Sequence, residues 1–122
     1  MNKNIFGDPL SACSNKPLTG YFRNGCCDTD DTDLGMHTVC IVATKEFLTF
    51  SKEVGNDLTT PLPRFGFDGV KPGDKWCLCA LRWKEAFQNN SAPMVVLEAT
   101  NEKTLDVIAM EDLISYAYKR LS

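Results

Sequence analysis

The chain has 122 residues, 43% of them hydrophobic and 24% charged, with a formal net charge of −3 and a sequence pI near 5.1. This is globular composition at single-domain length, and an acidic balance without a basic run argues against a nucleic-acid partner. No apolar stretch approaches the roughly 20 residues of a membrane span, and Met1-Asn-Lys-Asn lacks the apolar centre of a secretory signal, so no membrane partner and a cytoplasmic location are expected.

Residues 1–37 read as loop, because Gly7-Asp8-Pro9, Asn15-Lys16-Pro17 and Arg23-Asn24-Gly25 are all turn signals. A loop of this length inside a domain is functional or pinned, and Cys13, Cys26 and Cys27 are the candidate pins. Cys26 and Cys27 are not expected to bond to each other, since adjacent Cα atoms lie about 3.8 Å apart, shorter than ordinary disulfide geometry accepts. The acidic run Asp28-Thr-Asp-Asp-Thr-Asp33 lacks the central glycine and terminal glutamate of a calcium loop and reads as a solvated segment.

The β-branched run Thr38–Ala43 predicts a buried strand carrying Cys40. Thr44 is a good N-cap for a helix with Phe47, Phe50 and Val54 as its apolar stripe and Gly55 at its end. The long loop from Asn56 to Phe67 is rich in proline and aromatics. It is expected either to pack as a lid over the core or to bind a ligand through Asp57, Thr59, Thr60 and Arg64.

After the Lys71-Pro72-Gly73-Asp74 turn, the stretch to Trp83 holds both tryptophans and a Cys-x-Cys. On a strand Cys77 and Cys79 share a face. From Ala80 the period changes, since Ala80, Trp83, Ala86 and Phe87 fall at helical spacing, so the chain should pass from strand to helix at Cys79. There the N–H groups of a helix start can stabilise a thiolate or an anionic ligand. Met94–Thr100 reads as a strand. Asn101–Lys103 should close a hairpin into Thr104–Ile108, with a short helix from Glu102 as the alternative. Glu111–Leu121 reads as a terminal helix. The economical architecture is one α+β domain over residues 1–122, a small mixed or antiparallel sheet with about three helices and a loop-rich, cysteine-containing N-terminal third.

Six cysteines could form three disulfides in a secreted chain, whereas a cytosolic chain keeps its thiols reduced. The lone histidine, His37, precedes the first strand by one residue. Together these residues allow a zinc set drawn from Cys26, Cys27, Cys40, Cys77, Cys79 and His37, although no Cys-x₂-Cys knuckle is present. They also allow a thiol nucleophile, Cys79 or Cys77, with His37 as its base. The plain alternative is a structural or interaction module in which the cysteines are small buried hydrophobes. Arg82, between Leu81 and Trp83, needs a carboxylate partner, with Asp74 and Asp57 as candidates, or an anionic ligand. The ligand-binding set is therefore Arg82, Trp76, Trp83, Asp57, Arg64 and Asp74, around a small molecule or metal. The oligomeric state is not encoded in any motif.

Pro9-Leu10 with Cys13, Thr19-Gly20-Tyr21-Phe22-Arg23 with Gly25-Cys26-Cys27, and His37-Thr38-Val39-Cys40 resemble the first half of a small, mainly bacterial family, domain of unknown function 2237. Gly55-Asn56-Asp57-Leu58 with Pro61, Gly66-Phe67, Lys71-Pro72-Gly73-Asp74, Trp76-Cys77-Leu78-Cys79-Ala80 and Arg82-Trp83 resemble the second half. Several separate motifs in the right order cover nearly the whole chain. The resemblance implies no activity and no residue roles. One departure is Asn89-Asn90-Ser91, which replaces an Ala-Gly type ending after the second helix.

Overall fold

The computed structural model describes residues 2–118. Strand β1 (His37–Val42) leads through the Thr44 cap into helix α1 (Lys45–Glu53). Strand β2 (Lys75–Cys79) runs without a loop into helix α2 (Ala80–Gln88), and the short β3 (Met94–Val95) and α3 (Met110–Ser115) follow. The sheet is antiparallel with order β2-β1-β3, which fixes the fold as α+β and selects the antiparallel form. Among the described residues no helix is long and apolar enough to cross a membrane.

The sheet is covered on both faces, and strand alternation sorts its residues between them. Val39, Ile41, Trp76 and Leu78 join Phe47, Leu48, Trp83 and Leu113 in the main core. Cys40, Val42 and Cys77 point the other way, into a smaller cluster with Cys13, Cys27, Val96 and Ala99. Two disulfides, Cys13–Cys40 and Cys27–Cys77, hold the N-terminal loop on that second face. Cys26 and Cys79 remain free, and the adjacent Cys26 and Cys27 are indeed not bonded to each other. The expectation of free thiols throughout is thus corrected for four of the six cysteines.

The loop is further tied by buried polar groups. Asn101 Nδ2 donates to Asn2 Oδ1 and to the Cys27 carbonyl, while Ile5 N–H reaches the Thr100 carbonyl and Glu102 N–H the Lys3 carbonyl. The Met94–Thr100 strand expectation holds only for Met94–Val95. Beyond it the chain turns into a 3₁₀ segment, Leu97–Ala99, and the edge of β1 is satisfied piecemeal. Cys40 N–H donates to Thr100 Oγ1, and Cys40 and Thr38 carbonyls accept from Val96 and Asn101 N–H. The expected hairpin is also absent. Glu102–Asp106 is a 3₁₀ helix started by the Asn101 side chain, which accepts from Lys103 N–H, so the helical alternative was the closer one.

Helix α3 stops at Ser115 because the chain leaves it to lie beside β3, with Val95 N–H donating to the Tyr116 carbonyl and Tyr118 N–H to the Val95 carbonyl. Lys119, Arg120 and Leu121, expected in its last turn, lie outside the described residues. At the end of α2, Asn90 takes a left-handed φ of 58°, the conformation an Ala-Gly ending would give to glycine. Trp83 is fully buried against Phe87 and Tyr116 and donates through Nε1 to the Pro93 carbonyl.

Two stability outcomes follow from these contacts. Thr44 Oγ1 accepts from Phe47 N–H, so Thr44→Ala should cost about 1 kcal/mol, read as a lower urea midpoint at unchanged slope. Trp83→Ala should cost about 3–5 kcal/mol in the same measurement, because it leaves a large void and an unpaired Pro93 carbonyl.

Candidate functional site

β2 is an edge strand, and its free side is where the N-terminal loop and the segment after α1 approach each other. Cys77 N–H donates to Thr19 Oγ1 there, which ties the loop to the edge without closing it. The remaining opening is a cleft of about 570 Å³ walled by Tyr21, Arg23, His37, Trp76, Cys79 and Arg82.

His37 and Cys79 meet across the two strands. Their Cα positions are partnered in the register, and an irregularity between His37 and Val39 inserts Thr38 as an extra residue. Bulges of this kind re-aim side chains at strand ends. Directly opposed residues of an antiparallel pair have Cβ atoms roughly 4.5–5.5 Å apart on one face. Cys79 is also the N-cap residue of α2, and its side chain makes no capping hydrogen bond.

The imidazole is held from three sides. Its Nδ1 lies 2.7 Å from Asp33 Oδ1, and the other Asp33 oxygen accepts from His37 N–H and from Thr29 Oγ1. The Asp33 side chain is fully buried, while that of His37 is 42% exposed. Tyr21 stacks on the ring at 6.0 Å between centroids, and Gly35 lies beneath it so closely that an added Cβ would stand 2.9 Å from Cε1. With Nδ1 committed to a carboxylate, Nε2 is the ring nitrogen left to accept a proton. A carboxylate, an imidazole and a free thiol thus follow one another towards the cleft.

Two guanidinium groups flank this series. Arg23 lies over the Trp76 ring at 5.5 Å. Arg82 pairs with Glu85 at 3.3 Å and reaches the Val54 carbonyl, correcting the expected Asp74 or Asp57 partner. Those two carboxylates are used locally. Asp74 accepts from Lys71 N–H, and Asp57 folds its own turn by accepting from Thr59 and Thr60. Hydrogen bonds from the Thr60 side chain and the Thr59 backbone hold the Asp57 carboxyl well below the usual carboxylate range.

The chain matches, over residues 3–117, the family described as "Uncharacterized protein conserved in bacteria (DUF2237)". The chain belongs to this family. No curated protein matches it.

In this DUF2237 chain the residues singled out from sequence divide clearly. His37, Cys79, Arg82 and Trp76 line one cleft. Cys77 lines it too, but its sulfur is bonded to Cys27, so it is not a free nucleophile in this state. Cys40 is likewise bonded, to Cys13, and Cys26 stands outside the sulfur cluster. The expectation that Cys77 and Cys79 share a site with at least one of Cys26, Cys27, His37 and Cys40 is met in position by His37, since all three line this cleft, while the sulfurs of Cys77 and Cys40 are engaged in disulfides. Trp83 is a core residue rather than a ligand contact. Arg64 lies over Phe65 on the surface.

The Asn56–Phe67 loop is only partly a lid. Phe67 packs on Trp76 at 5.5 Å, whereas Phe65 is 74% exposed, and Asp57 lines a second cleft of about 460 Å³ beside the first. Sequence reasoning missed Asp33, Tyr21 and Arg23. Asp33 was hidden in an acidic run whose other members are solvated, and its available signal was the i, i+4 spacing to the only histidine across Gly35.

The second free thiol, Cys26, lies outside this cleft. Burial, and secondarily the charge of Asp28, push the Cys26 thiol above its ordinary value. Asp28→Asn should accordingly speed carbamidomethylation of Cys26 at a fixed, mildly alkaline pH, and only severalfold because burial is the larger cause. Peptide mass spectrometry of the alkylated native protein checks this.

Proposed function

We propose that this protein binds a small anionic ligand in the cleft along β2 and acts on its electrophilic carbonyl carbon through the Cys79 thiol. The observation that carries this is the pairing of a free cysteine with a histidine whose Nδ1 is held by a buried carboxylate, on the wall of one cleft. Carboxylate, imidazole and thiol in that order form the working series of acyl-transfer sites on unrelated folds.

In the proposed step, His37 Nε2 takes the proton from Cys79 Sγ as sulfur bonds to the carbonyl carbon, and the carbonyl electron pair moves onto oxygen. The start of α2 supports the new negative charge. The oxyanion then returns its pair to carbon and expels the leaving group, which takes the proton from His37. Water releases the acyl group with His37 again as base. Asp33 keeps the ring in the tautomer that accepts at Nε2. Arg23 and Arg82 give the cleft its preference for an anion, and Trp76 supplies an apolar wall. With a net charge of −3 on the chain, a local pair of arginines selects a small anion rather than a polyanion, so nucleic acid and membrane surfaces are not assigned as partners.

The test uses the native chain, in which Cys26 and Cys79 are the two free thiols. Each is alkylated with iodoacetate or iodoacetamide and quantified by peptide mass spectrometry. Cys79 should react faster than Cys26 and should favour the anionic reagent. Arg23→Gln with Arg82→Gln should remove that preference. His37→Asn should slow Cys79 by about tenfold or more, with Asp33→Asn in the same direction. Equal rates at the two thiols, indifferent to His37→Asn, would remove the basis for a thiol mechanism.

A further inference from the structure

Away from the cleft, the second face of the sheet carries four sulfurs in one buried cluster. Cys13, Cys27 and Cys77 place theirs within 4.8 Å of one another, all buried. The fourth, Cys40, is bonded to Cys13 and is also the direct cross-strand partner of Cys77. Four sulfurs on a tetrahedral zinc, at about 2.3 Å each, stand about 3.8 Å apart. Three of the four sulfurs, those of Cys13, Cys27 and Cys77, therefore already lie near the spacing of a thiolate zinc site, inside an apolar shell of Val42, Val96 and Ala99, and β1 carries Cys40 beside them.

As staples, the two bridges overlap in part. β1 and β2 already set Cys40 beside Cys77, so once one bridge forms, the second closes only the short ring between Cys13 and Cys27. Short rings remove less chain entropy than long ones. As a ligand set, by contrast, all four are needed.

We infer that Cys13, Cys27, Cys40 and Cys77 form a zinc site when reduced, so that reduction converts this face from two disulfides to one bound Zn²⁺. The exchange balances with a dithiol reductant. Each disulfide takes two electrons and two protons from one dithiol, which leaves as its own disulfide, and Zn²⁺ then displaces the four thiol protons. A reducing cytoplasm supplies such dithiols. The set differs from the one suggested by sequence, since it gains Cys13 and omits Cys26, Cys79 and His37. None of the four is the thiol proposed to react in the cleft, which is Cys79.

The full chain is unfolded with a phosphine reductant, refolded under the same reductant, and titrated with Co²⁺ and then Zn²⁺. One Co²⁺ per chain is expected, with tetrahedral d–d bands and sulfur-to-cobalt charge transfer, and Zn²⁺ should displace it. The double variant Cys26→Ser with Cys79→Ser should bind equally well, while Cys13→Ser should lose the tetrahedral signal. Because Cys13→Ser can fail for reasons of folding, the wild-type zinc form is also read by ¹³Cβ shifts, which should mark Cys13, Cys27, Cys40 and Cys77 as zinc thiolates and leave Cys26 and Cys79 as thiols. A reduced chain that takes up no metal overturns the proposal, and so does metal held by Cys26, Cys79 or His37. Neither result bears on alkylation of Cys79 in the oxidised protein, so the two proposals fail separately.

Discussion

Two neighbouring positions in the sheet, Cys40 on β1 and Cys77 on β2, bear most of the tertiary order of the N-terminal third. They oppose each other on one face, and each takes its covalent partner from a segment with almost no regular structure. Its turns bond partly within the segment, and the rest of its ties run outward: Thr19 Oγ1 accepts from Cys77 N–H of β2, the Cys27 carbonyl accepts from Asn101 Nδ2, and Ile5 and Ser11 N–H donate to the Thr100 and Glu98 carbonyls. With the bridges in place it becomes a wall, and Tyr21 and Arg23 are set against the edge of β2. The cleft is therefore a by-product of how the second face of the sheet is covered.

The same sheet separates two kinds of chemistry by parity. Trp76 and Leu78 go to the hydrocarbon core while Cys77 goes to the sulfur cluster, and an extra residue at Thr38 lets His37 answer Cys79 at the strand end. A one-residue change of register would exchange these faces. Position on the sheet thus decides which cysteine is bonded and which is left as a thiol.

Much of this was legible in the residues. β1, the Thr44-capped helix and the passage from strand to helix at Cys79 all appear in the structure, because periodicity and capping are local properties. The family resemblance was also correct. Met94–Thr100 misled because its apolar run suits either a strand or the buried 3₁₀ turns actually formed, and the choice was made by unpaired groups on β1. Trp83 looked like a ligand contact because an aromatic on an amphipathic helix does not announce which side is inside. The sulfur pairings depended on where a loop of turns would land, which spacing does not encode. Arg82 found Glu85 one turn along its own helix, since the remoter carboxylates had been claimed by the turns they sit in.

The adjacent Cys26 and Cys27 have opposite fates. Only one of the two is buried and bonded, although they are neighbours in the chain. The choice rests on backbone placed just before them. Gly25 sits at φ 87°, its carbonyl accepting from Cys13 and Ser14 N–H, and Gly20 lies so close to the Cys26 carbonyl that a side chain there would collide with it. These two glycines permit the backbone turn that leaves Cys27 facing the sulfur cluster and Cys26 outside it, so two residues with no side chain separate otherwise identical neighbours.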